Sequence, residues 1–354
     1  MRALLSRGLA AAVDRAVFVT ALSRGKSSRS RSPAEALGHE ARVEKLGEIA
    51  ASFGPSALVD PDSFFGAPRA PHVSRTVVRR FGRGGEVADL TWRSSHAPLQ
   101  DAVRARYVAH QPNATAHTRL IGIPGAGRPA VIVVHGYLGG TYAVEEGFWP
   151  LRWLLRQGLD VALFVLPFHG PRKGASLRPK FPSSDPRVTI EGFRQAIADL
   201  RDLTAWLRER GAPEVGVMGM SLGGYTSALA ATVGKELSFA VPVVPLASIA
   251  DFADADGRFI GEPDEQRLQH QAVERAHAVV SPLGRPLALD AARVVVVAGR
   301  VDRITPLSHA EKLAAHFRCR LEVFEGGHLL QSGRMEALER VASIFRPAPV
   351  TSPS

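Results

Sequence analysis

The spacing of apolar residues changes near residue 129 of this chain. Beyond it, continuous apolar runs ending in glycine alternate with segments whose apolar residues recur every three or four positions. "RPAVIVVHG" and "DVALFVLPFHG" are such runs, which mark strands buried on both faces. Between them, "FWPLRWLLRQG" reads as a helix stopped by Gly158. From Phe193 to Leu207 the apolar positions follow a helical period. A "VGVMGMS" strand comes next, with an alanine-rich helix after Ser221. "FAVPVVPLA" and "RVVVVAGRVD" are further strands, separated by a polar, acidic segment at 250–285. "SHAEKLAAHF", "CRLEVFEGGH" and "RMEALERVASIF" complete a helix, a strand and a helix. This alternation predicts an α/β protein with a mostly parallel sheet covered by helices on both faces. Catalytic groups in such sheets gather on loops at the carboxyl ends of the strands.

Upstream the pattern differs. "HVSRTVVRRF" and "GEVADLTW" read as strands joined by the turn "GRGG", so antiparallel strands are expected at the N-terminal edge of the sheet. "RARYVAHQ" and "TRLIGIP" are expected to add two short strands. Residues 34–70 read as a helical piece and a Pro-rich loop. At the N-terminus, Leu5, Leu9, Val13 and Ala16 or Val17 share one helical face, followed by the flexible "SRGKSSRSRSP". Asp14 and Arg15 interrupt the apolar stretch, and no clean cleavage site follows, so a signal peptide is not expected here. The expectation is a helix that packs on the body, with peripheral membrane contact through its arginines as the alternative. The resulting division is an extension and linker at 1–70, one α/β domain at 71–347 with a lid at 250–285, and a disordered tail at 348–354.

Composition narrows this only a little. Hydrophobic residues make up 45% and charged residues 22% of the 354 positions, ordinary values for a globular protein. The single cysteine, Cys319, excludes an internal disulfide and fits a cytoplasmic location. No apolar run is long enough to cross a membrane. The net charge of +10 admits an anionic partner. Its arginines are spread along the whole chain without a nucleic-acid-binding motif, so no nucleic-acid partner is expected. Neither an HExxH pattern nor a Cys/His cluster nor a dinucleotide loop appears, and no metal or organic cofactor is expected. "GIPGAG" precedes a strand rather than a helix and lacks the helix N-terminus that would hold a phosphate.

The candidate chemistry sits in "VGVMGMSLGGYTSALAA". Chance alone places G-x-S-x-G in roughly one chain in eight of this length, so an ordinary strand-to-helix turn is the simplest reading. The alternative is a nucleophile elbow, which needs small residues at Gly219 and Gly223 and two partners later in the chain. A serine needs a base to take its proton, and the base needs an anion to orient it. Asp302 follows "RVVVVAG" and His328 follows "LEVFEGG", each at the end of its own strand. Asp251, Asp254 and Asp256 are rival acids after the preceding strand. The backbone N–H groups of Leu222 and of Tyr137 in "HGYLGG" are candidate oxyanion donors.

"HGYLGG", "GMSLGG", "AGRVDRITP" and "GGH" together resemble the α/β-hydrolase superfamily over residues from about 75 to 346. The resemblance implies an α/β-hydrolase fold and a Ser221–Asp302–His328 triad cleaving an ester-type bond, a carboxylic, lipid acyl or thioester. "PFHGPRK" further resembles the α/β-hydrolase-domain type-eighteen subgroup, for which lipid acyl esters are a plausible substrate class. His169, Arg172 and Lys173 are the candidate substrate-binding residues, with Arg178 and Lys180 nearby, and a solvated basic loop is the competing reading. The same triad would serve an acyltransferase, and the scaffold would serve a non-catalytic binding protein.

Overall fold

The computed structural model describes residues 7–8, 10–14 and 37–345. Nine strands form one sheet: β1 (Ser74–Phe81), β2 (Gly85–Arg93), β3 (Thr115–Gly122), β4 (Ala130–Val134), β5 (Asp160–Phe164), β6 (Val215–Met220), β7 (Phe239–Val243), β8 (Val295–Gly299) and β9 (Arg320–Phe324). Their spatial order is β1-β2-β3-β5-β4-β6-β7-β8-β9. From β5 to β9 all pairs are parallel, whereas β1, β2, β3 and β5 pair antiparallel. This is the α/β-hydrolase fold with its antiparallel N-terminal edge.

The continuous apolar runs follow from two-sided burial. In β4, Ile132 and Val134 join a core with helices Pro186–Glu209, Leu222–Ala230 and Leu307–Phe317. Their neighbours Val131 and Val133 face the opposite core, shared with helices Leu151–Arg156 and Arg334–Arg340. Successive side chains on a pleated strand point to opposite faces, so both parities must be apolar.

Three expectations change. "RARYVAHQ" is not a strand but lies largely in the helix Asp101–Val108, whose Val103 and Tyr107 are buried four residues apart on one face. The helix placed at 193–207 begins earlier, with Asp185 as N-cap and Pro186 in its first turn. The extension is integral rather than a linker: Ile49, Ala57, Phe64 and Phe65 belong to the main core, and Arg285 donates to the Ala57 and Leu58 carbonyls. The expected lid segment contains helices Ile249–Ala255 and Pro263–His277, the second packed on helix His39–Ala51. Among the described residues, no helix is long and apolar enough to cross a membrane. The expected basic loop 23–33, the tail 348–354 and most of the N-terminal apolar face lie outside the described residues.

Candidate active site

Ser221 lies between the end of β6 and the helix Leu222–Ala230 with φ 58° and ψ −114°, a backbone conformation that a side-chain-bearing residue rarely adopts. The flanking glycines make this turn. A Cβ on Gly219 would lie 2.1 Å from the Gly223 carbonyl oxygen, and one on Gly223 would lie 2.1 Å from that of Val134. Both approaches are backbone on backbone, so neither position admits any side chain. The Ser221 N–H donates to Val243 at 3.0 Å, tying the turn to the end of β7.

Asp302 and His328 are brought together on the loops after β8 and β9. His328 Nδ1 lies 2.8 Å from Asp302 Oδ2, and both side chains are almost wholly buried. The other carboxylate oxygen accepts from the N–H groups of Ile304 and Thr305, each at 2.8 Å. Every partner of this carboxylate is a donor or can be one. The imidazole therefore donates through Nδ1 to this carboxylate. Thr305 Oγ1 is within 3.0 Å of both His328 Nδ1 and Asp302 Oδ2 and 2.9 Å from the Val244 carbonyl. Gln331 links the histidine loop to Met220, beside the serine: its Nε2 donates to the His328 carbonyl at 2.8 Å and lies 3.7 Å from Met220 Sδ. Among the described residues Ser221 and His328 share no hydrogen bond. The rival acids are engaged elsewhere or exposed: Asp251 with His270 and Lys312, Asp256 with Arg258, and Asp254 on the surface.

The candidate oxyanion donors lie on the loop after β4 (Tyr137) and at the start of the helix after β6 (Leu222). Among the described residues neither the Tyr137 nor the Leu222 N–H is engaged in a hydrogen bond. Leu222 opens a helix, where N–H groups have no intrahelical acceptor. Buried Glu145 accepts from Gly140 N–H at 2.9 Å and from Trp149 Nε1 at 3.1 Å. A Cβ on Gly139 would lie 2.7 Å from that carboxylate, which accounts for the first glycine of the "GG" pair. His135 bridges two loops: Nδ1 lies 2.7 Å from the Gly136 carbonyl, and Nε2 accepts from Leu166 N–H at 3.1 Å. Burial holds its pKa below the ordinary value, so the ring is neutral, as an accepting Nε2 requires.

The candidate substrate-binding residues separate. Arg172 is wholly buried, paired with buried Asp199 at 2.9 Å and donating to the Val165 and Asn113 carbonyls. Its charge is spent inside the protein, which corrects the expectation that it faces an anionic substrate. Lys173 is half-buried with Nζ 3.4 Å from the Leu177 carbonyl, and Arg178 and Lys180 are exposed. His169 is buried 5.0 Å from the His135 ring and 5.9 Å from the Tyr137 ring. Its Nδ1 lies 2.9 Å from the Pro167 carbonyl, and among the described residues Nε2 has no hydrogen-bond partner. Burial holds its pKa well below the ordinary value, leaving a neutral acceptor rather than a cation.

The sequence places an oxyanion donor in "HGYLGG" but assigns no role of its own to His135, Glu145 or Thr305. Glu145 sits in a helical segment where an acid is unremarkable. Only its neighbours in space, Gly139, Gly140 and Trp149, give it a task.

The chain has the α/β-hydrolase fold. Residues 150–258 match the family described as "Alpha/beta hydrolase domain containing 18". The "Uncharacterized protein Rv2627c" of Mycobacterium tuberculosis is 28% identical over 281 residues, covering 77% of this chain and 66% of that protein. The chain thus spans just under two thirds of the length of this relative. Among solved structures, acetyl xylan esterase 1 from Thermoanaerobacterium sp. is similar with a TM-score of 0.57 at 17% identity, over 86% of this chain and 94% of that one. An acetyl xylan esterase from Paenibacillus sp. has a TM-score of 0.54 at 15% identity, over 86% and 93%. At these identities the likeness is one of fold.

Proposed function

We propose that this protein is a serine hydrolase that cleaves an ester-type bond through an acyl-enzyme. The observation that carries the reading is Ser221 on its strained turn at the same sheet edge as the 2.8 Å Asp302–His328 pair. Ser221 Oγ attacks the carbonyl carbon while His328 Nε2 takes its proton. Asp302 keeps the imidazole in the tautomer that can do so and stabilises the imidazolium. The oxyanion accepts from the Tyr137 and Leu222 N–H groups. As the intermediate collapses, His328 returns the proton to the leaving alcohol. Water then attacks the acyl-serine with His328 again as base, releasing the acid and regenerating Ser221.

Ester hydrolysis agrees with the acetyl xylan esterases that share this fold. An apolar acyl group suits the surroundings. Tyr137 and Leu138 on the oxyanion loop, and Leu329 and Leu330 beside the histidine, are all large, apolar and partly exposed. The neutral acceptor of His169 near Tyr137 would suit a hydroxyl on the substrate.

A fluorophosphonate probe tests the chemistry on the folded full chain. The expected result is one covalent adduct on Ser221 and none in Ser221→Ala, together with turnover in a panel of esters of graded acyl length. No adduct on folded protein would overturn the reading.

A further inference from the structure

The N-terminal segment brings a side chain to the catalytic loops that the mechanism above does not use. Residues 10–14 are helical, and Ala10 and Asp14 are fully buried. The Asp14 carboxylate accepts from the backbone N–H of His328 at 2.6 Å and of Leu329 at 2.9 Å. It also accepts from the N–H of Arg303, next to Asp302, at 3.4 Å. One carboxylate thus joins the loop of the acid to the loop of the base. Gly327 makes room for it: a Cβ there would lie 2.3 Å from Asp14 Oδ2. The Gly327 backbone is not left-handed, so its missing side chain is a matter of space alone. Arg7, from the same segment, pairs with Glu325 on the same loop.

A helix that merely covered an apolar surface would not bury a carboxylate in the middle of its contact, because an unpaired one there is costly. Here the carboxylate is matched to amide donors, whose charge-assisted bonds are short and directional. We infer that Asp14 is a positioning residue for the acid–base pair. It fixes the His328 loop against the Asp302 loop, so that the imidazole keeps both its bond to Asp302 and its aim at Ser221. The N-terminal segment is then part of the working site. This inference rests on the serine-hydrolase reading.

The test compares Asp14→Ala, Asp14→Asn, Gly327→Ala and the Asp14→Ala/Gly327→Ala double variant, all in the full chain. Turnover of a short-chain p-nitrophenyl ester is expressed per active site titrated with fluorophosphonate. A merely structural role would reduce the number of titratable sites and leave kcat per site unchanged. A positioning role lowers kcat per site by about ten- to a hundred-fold with KM nearly constant, since small displacements of a catalytic group cost that much. Asp14→Asn keeps the volume and one acceptor, so it folds if Asp14→Ala does not, and it shows an intermediate loss. Gly327→Ala evicts the carboxylate and reproduces the loss, but adds nothing once Asp14 is alanine. Unchanged kcat per site in the Asp14 variants, or losses that multiply in the double variant, would overturn the inference. Ser221→Ala separates the two readings. Full turnover in that variant sinks the serine mechanism itself, whereas an inactive Ser221→Ala beside undiminished Asp14 variants sinks only the role of Asp14.

Discussion

Ser221 stands between two sides that are built differently. On the oxyanion side, the loops after β4 and β5 are locked to each other and to the adjacent helix by buried groups: neutral His135, Glu145 and the Arg172–Asp199 pair. These braces come from the α/β body itself. On the acid–base side, the loops after β8 and β9 carry Asp302 and His328, and the side chain that spans their amides arrives from 314 residues away in the chain. The loop of the proposed oxyanion donor Tyr137 is therefore held by the α/β body, whereas the proposed acid–base pair leans on Asp14 from the N-terminal segment. Each side can be perturbed without the other.

The largest expected effect is on the acid–base side. Asp302→Asn keeps the shape but favours the wrong histidine tautomer, and kcat should fall by up to ~10⁴-fold. Steady-state kinetics with a simple ester measure this. A mild loss there, with a severe one at Asp251, would move the acid to the preceding loop.

On the oxyanion side, Arg172→Met should act on stability first. Removing one member of a buried ion pair leaves the other uncompensated and costs about 3–5 kcal/mol. Urea unfolding reads the change, and replacing Asp199 with Leu in the same chain should recover part of it. A stability change within about 0.5 kcal/mol of zero would mean that Arg172 is not the brace described here.

The pH dependence of stability sharpens the same contrast. His135 and His169 have pKa values held down by burial from an ordinary 6.5, and burial holds His117 and His277 down to about 4. In the unfolded chain these rings take up protons below about pH 6.5, while in the native protein they stay neutral. Stability is therefore lost progressively as the pH falls from 7 towards 4, and unfolding takes up protons. Thermal midpoints at pH 7, 6 and 5 should decrease, and His169→Asn should flatten the slope. A midpoint that rises on acidification would contradict the neutral assignment.

The smallest effect belongs to the surface. Lys173→Gln should change the ratio of kcat/KM for an anionic over a neutral ester by less than about two-fold, because the charge of this half-buried loop residue is still reached and screened by water and salt. A ten-fold drop would restore an anion-binding role to this loop.

The neighbours Arg172 and Lys173 show where reading from sequence stops. In "GPRKG" they are equivalent, two basic residues in a loop after a strand. Their fates diverge because Asp199, on a helix 27 positions further on, faces one and not the other. The same helix shows a second limit. Glu191, Gln195, Asp199 and Asp202 would form a solvated face in a two-layer protein, yet all four are buried. Bonds from Ser94, Ser95, Tyr107 and the amides of Leu99 and Gln100 cover them, and no local pattern signals these bonds. "RARYVAHQ" was open to misreading for a related cause, since a short segment with few apolar residues carries too little periodicity to separate helix from strand.

The sequence by itself determined the sheet, the elbow and the order in which the candidate nucleophile, acid and base occur. Two-sided burial requires unbroken apolar runs, and a turn in which backbone meets backbone admits only glycine. Both demands are written in consecutive residues. Only the tertiary structure decided which charges are spent on holding the fold and which remain for chemistry, because that depends on partners far away in the chain. Asp14 is the clearest case. In sequence it interrupts an apolar helix, and in space it meets three amides of the loops that carry Asp302 and His328. A carboxylate in an apolar stretch acquires its meaning from the donors that surround it, and those donors are brought there only when the sheet has closed around them.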